Sequence, residues 1–294
     1  MPESEEAKRW EKLFSPREKI IQFHEAPYLS AVVPLFAGAI RYLEKEPTRI
    51  LVVGGGRGHF SERVLPAVRR MLQANGRNPD IGVLETDMTD EIKKAPAPSQ
   101  VVNVLELSRH FPLGSFDVVV GESMIHQMHP NIFKALLQIR HVMTSDGIFI
   151  HVQDTVPDYW QWLSPETRKR FGIHETKAVY HIEDFQRLPE LSNEAHGNLC
   201  RALLEGAQDA EMYMTGVTVK HQSVLDARNL GPHPTMDLGD RNYVTYKMGN
   251  VFGGRAQGLP PGKKIVEYEG LATIYSKKPV QGLFEHMQRH PFRH

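Results

Sequence analysis

The 294-residue chain has a single cysteine, Cys200, so no disulfide can close within it. That excludes a disulfide-stapled scaffold and suits a reducing compartment. Cys200 falls in a stretch, 193–210, that reads as a helix, where a lone thiol serves as a small core residue. An excess of charge of either sign is also missing, with 35 Lys and Arg against 35 Asp and Glu. No broad basic field is therefore available to hold nucleic acid or an anionic membrane. No apolar run approaches the roughly 20 residues of a membrane-spanning helix. The first residues include Glu3, Glu5, Glu6, Lys8 and Arg9, which is no secretory leader, so a cytoplasmic location is expected. Internal repeats and low-complexity tracts are absent. There are fifteen histidines, but His126, His129 and His151 lack the His-x-x-x-His spacing and have no cysteine partners, so no metal is expected.

What the chain does have is Arg49-Ile-Leu-Val-Val-Gly-Gly-Gly-Arg-Gly-His59, an apolar run ending in a glycine cluster. Ile50 to Val53 suit a strand buried on both faces of a parallel sheet. Gly54, Gly55, Gly56 and Gly58 free the backbone for a tight turn that a ligand can approach closely. Ser61 and Glu62 then open a segment with Val64, Leu65, Val68, Met71 and Leu72 at helical spacing. Strand, glycine turn and helix make a nucleotide-binding unit. A dinucleotide fingerprint is Gly-x-Gly-x-x-Gly; here the glycines stand at 54, 56 and 58, which argues against a pyrophosphate cofactor.

Four further apolar runs follow. Ile81 to Asp87 reads as a second strand ending in an acid, and an acid at a strand tip can accept hydrogen bonds from a ribose diol. Val101 to Leu105, Phe116 to Gly121 and Gly147 to Val152 read as the third, fourth and fifth strands. Between the last two, Ile132, Leu136, Leu137, Ile139, Val142 and Met143 form a helical stripe that runs out at Asp146-Gly147. Such alternation predicts an α/β fold with a parallel sheet and helices on both faces.

These residues resemble the class I S-adenosylmethionine-dependent methyltransferases over about residues 45–155. Ile50 to Gly58 is similar to that family's first motif and Gly82 to Asp87 to its second. Phe116-Asp-Val-Val-Val with Met124-Ile-His-Gln-Met128 resembles its fourth-strand segment, and Leu136 to Ile150 the helix, turn and strand that follow. The resemblance implies a Rossmann-like, doubly wound, mostly parallel seven-stranded sheet that binds S-adenosylmethionine. It implies a glycine turn at Gly54, Gly55, Gly56 and Gly58, a ribose contact at Glu85 with Thr86 beside it, and adenine contacts at Asn103 and Val104. One departure is Val52, where the family often has an acid that orients the methionine end of the cofactor; Glu122 is the candidate to replace it. A second is the long interval from Gly54 to Glu85, which a loop at 74–80 accounts for.

Outside the sheet, residues 1–46 read as a helical cap with breaks at Pro16, Pro27 and Pro34, in which Phe23, His24 or Tyr28 can face substrate. Residues 47–294 read as the sheet domain, with insertions at about 155–192 and 226–265. The first insertion opens on the aromatic cluster Val156 to Leu163. The second reads as an added hairpin for substrate recognition or for the contacts of a homodimer. A sixth strand is expected around Val217, Val219 and Val224, and a seventh at Gly270 to Tyr275. The expected activity is methyl transfer to a small-molecule acceptor, with His126 as the preferred base and His129, His151 and Asp154 as further candidates near strand ends. Two alternatives stay open. One is an aminopropyltransferase of the spermidine-synthase type, disfavoured by Gly121-Glu-Ser-Met-Ile-His126 where that family needs an acid and an Asp-Pro turn. The other is a non-catalytic scaffold that keeps the fold, motivated by Val52.

Overall fold

The computed structural model describes residues 29, 32–122, 124–128, 131–153, 205–226, 243–247, 250–254, 261 and 263–279. Strand β1 (Thr48–Val53) is almost wholly buried, as its unbroken apolar run requires. β2 (Ile81–Asp87) pairs with it in parallel, and β3 (Ser99–Val101) adds to β2. On the other side β1 pairs with β4 (Phe116–Glu122), and β4 with β5 (Met143–Gln153), again in parallel. The order 3-2-1-4-5 reverses direction between β1 and β4. In open α/β sheets such a switch point marks the crevice where ligands bind, beyond the carboxyl ends of the strands.

Alternate residues of the strands feed two cores. Ile50, Val52, Val118, Val120, Ile148 and Ile150 meet helix α1 (32–43) and α2 (Leu65–Ala74) on one face. Leu51, Val53, Val119 and Phe149 meet α3 (Leu107–His110) and α4 (Ile132–Val142) on the other. The sheet is therefore doubly wound, as the sequence implies. Within α2, Leu65, Val68 and Leu72 are buried at helical spacing, and Pro66 sits in its first turn. Gly76, with φ of 71°, ends the helix in the left-handed region.

Beyond β5 the sheet turns antiparallel. β9 (Lys263–Ser276) runs against β5, and β6 (Tyr213–Asp226) runs against β9 along its whole length. These supply the expected sixth and seventh strands. Among the described residues two more strands, β7 (Tyr243–Lys247) and β8 (Asn250–Gly254), form a hairpin whose first strand lies parallel to the outer half of β9. The sheet thus exceeds seven strands by this hairpin, which falls within the 226–265 interruption.

Two boundaries differ from the sequence reading. β3 is only three residues long, because the Asn103 side chain accepts the Leu105 N–H and starts a turn where a longer strand is expected. β5 begins at Met143 rather than Gly147, with a register irregularity opposite Phe116 and Val118. Gly147 lies in the bend; a Cβ there would stand 3.0 Å from Thr144 Oγ1 and 3.1 Å from the Asp117 carbonyl oxygen. Among the described residues no helix is long and apolar enough to cross a membrane.

Candidate functional site

The crevice at the switch point is built around the glycine turn that follows β1. Gly54, Gly56 and Gly58 have φ of 68°, 56° and 90°, a region that side chains strongly disfavour. The turn is clamped to the tip of β2. Gly55 N–H donates to the Thr86 carbonyl at 3.0 Å and Gly56 N–H to Asp87 Oδ2 at 3.0 Å. Thr86 Oγ1 donates back to the Val52 carbonyl at 2.8 Å, so Thr86 belongs to the clamp. From β4's side, a Cβ on Gly54 would lie 3.0 Å from Met124 Cβ, a close approach that only glycine allows. The next five residues, Phe60–Val64, wind as a wider π turn before α2 begins.

Two acids stand on β2, two residues apart and hence on one face. Register separates them in height. Val52 pairs with Glu85 and Val53 with Thr86, so Asp87 reaches the level of the first glycine while Glu85 lies a full pleat below. Glu85 is 0% exposed. Its Oε1 accepts the Ser61 N–H at 2.9 Å and its Oε2 lies 3.0 Å from Ser61 Oγ. Burial pushes its carboxyl above the usual carboxylate range. The two Ser61 bonds pull it down, Glu122 pushes it up, and His59 pulls it down. Asp87 accepts Gly56 N–H at Oδ2, and the Thr89 N–H and hydroxyl at Oδ1. A carboxylate has about four acceptor positions, so Oδ2 keeps one. Glu85, expected to meet a ribose, thus faces the start of α2, and Asp87 is the acid at the strand tip.

At the end of β4, Glu122 Oε2 stands 3.3 Å from His59 Nδ1, a pair that bridges the glycine turn and the β4 tip. His151, on β5, is fully buried; its Nε2 accepts the N–H groups of Met124 and Ile125 at 3.1 and 3.0 Å. Through those two bonds His151 holds the β4 turn in place. His126 lies on the short 3-10 turn Ile125–Met128 immediately after those two amides; its side chain is outside the described residues, as are His129, Phe23, His24, Tyr28 and residues 154–204, which hold Asp154 and the expected 155–192 insertion. Asn103 and Val104 follow β3 at the same edge of the sheet, Asn103 half-buried and Val104 buried. Val52 lies in the core cluster of α1 and α2, which leaves no room for an acid there without burying its charge; its register partner on β2 is Glu85. Among the described residues no group of three or more His, Cys, Asp and Glu is arranged to hold a metal ion.

His59, Ser61 and Asp87 form part of this geometry, and sequence reasoning passes over the first two. Ser61 is visible there only as the opening of a helix, and nothing marks His59 apart from its place after the last glycine.

No family model matches the chain, and no curated protein matches it in sequence. Solved structures do resemble it in shape. A SAM-dependent methyltransferase of Thermotoga maritima is 15% identical over 92% of this chain and 98% of its own, with a TM-score of 0.42. The methyltransferase CalH, solved with S-adenosylhomocysteine, is 16% identical over 83% of this chain and 54% of its own, with a TM-score of 0.37. The CurJ carbon methyltransferase is 13% identical over 88% and 57%, with a TM-score of 0.42. The strand order and the glycine turn stand on their own geometry.

Proposed function

We propose that the chain is an S-adenosylmethionine-dependent methyltransferase acting on a small molecule. The observation that carries this reading is the turn of three left-handed glycines at the switch point, fastened to the β2 tip through Asp87. The donor set suits that cofactor, whose ammonium and sulfonium are cationic: carboxylates at Asp87 and Glu122 flank the turn. Bound there, S-adenosylmethionine supplies a methyl group already attached to a good leaving group.

The chain's own residues then have these tasks. Gly54, Gly55, Gly56 and Gly58 let the backbone approach the ligand. Asp87 offers Oδ2 to a ribose hydroxyl, Asn103 and Val104 border the adenine, and Glu122 with His59 stands at the amino-acid end. His126 takes the acceptor's proton where the acceptor is a hydroxyl or a neutral thiol. His151 fixes the turn that carries His126, so alignment is built into the scaffold rather than gained on binding.

Calorimetry with S-adenosylmethionine and S-adenosylhomocysteine tests the reading, and absence of binding at millimolar ligand overturns it. Asp87→Asn is expected to weaken binding by about 1.5–3 kcal/mol, the worth of hydrogen bonds to a charged group. Unchanged affinity would take the ribose contact away from Asp87.

A further inference from the structure

The antiparallel half of the sheet carries a surface that the proposed site does not use. β9 begins at Lys263, but its last pair with β5 is Leu271 with Gln153, so 263–270 continue past the tip of β5. β6 follows them on one side and the β7–β8 hairpin on the other, which makes an arm of four strands. β6 and β9 pair without a break from Tyr213–Ser276 to Asp226–Lys263, so alternation carries each face of the core into the arm.

Ile274 and Ala272 lie in the core beneath α1 and α2, and Tyr268 and Val266 continue their face. Register brings Val219 of β6, Val244 and Tyr246 of β7 and Val251 of β8 to the same face, with His221 in the Tyr268 row. Lys220, Gln222, Thr245, Glu267 and Glu269 fall on the opposite one. Of the arm's Lys, Asp and Glu positions, Lys264 alone shares the apolar face, at its outer end. An antiparallel sheet patterned in this way packs one face and leaves the other to water.

The path of α1 shows which part of the chain reaches the apolar face. Four residues, 44–47, join the end of α1 to the start of β1, so α1 ends at the amino edge of the sheet. Its Phe36 meets Phe60, just past the glycine turn, edge-on with ring centroids 5.4 Å apart. The first half of α1 is therefore at the ligand edge, and the chain before Leu29 enters there on the α1 side. The stretch 154–204 also leaves from that edge, but it returns on the other side. Ala207, Ala210 and Met212 are buried with α4, and a Cβ on Gly206 would stand 3.1 Å from Ile132 Cγ2. Residues 1–28 carry Trp10, Leu13 and Phe14, then Ile20 and Ile21, at spacings that gather on one side of a helix. Wholly helical, that segment would reach about 42 Å, against roughly 26 Å for the arm.

We propose that the apolar face of the arm is the seat of the N-terminal segment 1–28, so that segment and arm together wall one side of the crevice. Cross-linking of the full, unsubstituted chain tests the placement without a ligand. Isotopically light and heavy protein are mixed, treated with a short amine-reactive linker and read by mass spectrometry. Lys12 or Lys19 is expected to join Lys220, Lys247, Lys263 or Lys264 within one chain. Absence of any such link within one chain overturns the proposal, and links found only between light and heavy chains would give the face to a second copy. Trypsin cleavage after Arg17 and Lys19 then tests the face, since such cleavage follows local opening. Tyr246→Ser and Val266→Ser are each expected to speed it about tenfold, whereas Gln222→Ser and Thr245→Ser on the other face keep it within about twofold. Equal acceleration by both pairs, or by neither, overturns the proposal. The thermal midpoint is read alongside, and should a variant fail to fold, the cross-links of the unsubstituted chain decide.

Discussion

His151 shows how one side chain can matter to a site through the backbone it holds. Its Nε2 accepts two successive backbone N–H groups, those of Met124 and Ile125, in a fully buried position between β5 and the β4 turn. Each buried donor left without a partner costs about 1–3 kcal/mol. His151→Ala is therefore expected to destabilise the fold by about 2–4 kcal/mol in denaturant unfolding, with His151→Gln recovering part through its carbonyl oxygen. A change below about 0.5 kcal/mol would mean that the two amides find other acceptors. The sequence shows His151 near a strand end; on β5 Phe149 shares its face, while Ile150 and Val152 enter the opposite core. Glu85 and Asp87 give the same lesson. Alternation places both acids on one face, yet only the pairing of Val52 with Glu85 reveals which one reaches the glycines, and pairing between strands leaves no mark along either strand.

Among the elements, β1 and β4 are fastened at both ends, by the ligand-side turn and, at the opposite edge, by Asp117. That carboxylate accepts the Arg49 N–H at 3.0 Å and the Arg49 guanidinium at 3.2 and 3.3 Å, and Lys45 Nζ at 3.3 Å. Burial alone would raise its carboxyl, but the bonds from Arg49 and Lys45 outweigh it and hold the group below the usual range. The sign follows: the contribution is present above the ordinary aspartate value and is lost as pH falls through the lowered folded-state value. Asp117→Asn is expected to cost about 1–3 kcal/mol near neutral pH, and the gap between variant and wild type to close toward about pH 3. A gap that stays constant would assign the loss to packing. Most elements here are legible from apolar runs: β1, β2, β4, α2 and α4 lie where periodicity places them. β3 is not, because Val101 is 39% exposed and Asn103 diverts the backbone, so the strand is Ser99–Val101 and only the first residue of the expected 101–105 run belongs to it.

For the whole molecule, the antiparallel half reaches further than a nucleotide-binding sheet needs. The last partner of β5 is Leu271, opposite Gln153, yet β9 begins at Lys263. Eight residues of β9, roughly 26 Å at about 3.3 Å each, therefore continue past the tip of β5. They run with β6 on one side and with the β7–β8 hairpin on the other. Since β1, β4 and β5 are parallel, this arm rises from the edge that carries the glycine turn. Long, non-local pairing of this kind is invisible to local periodicity, which explains why the interruption at 226–265 can be recognised in the sequence but its place in the sheet cannot. The hairpin pairs with β9 only at 265–268, outside the β5 contact at 271–276, so the doubly wound core does not depend on it. Replacing 243–254 with a short Gly/Ser linker is expected to shift the thermal midpoint by no more than about 3 °C. Affinity for S-adenosylhomocysteine should stay within about twofold, which calorimetry reads directly. That outcome would assign the arm to the acceptor side of the crevice, with loss of acceptor turnover as the expected effect of its removal. Loss of cofactor affinity in the same variant would instead make the hairpin a wall of the cofactor site.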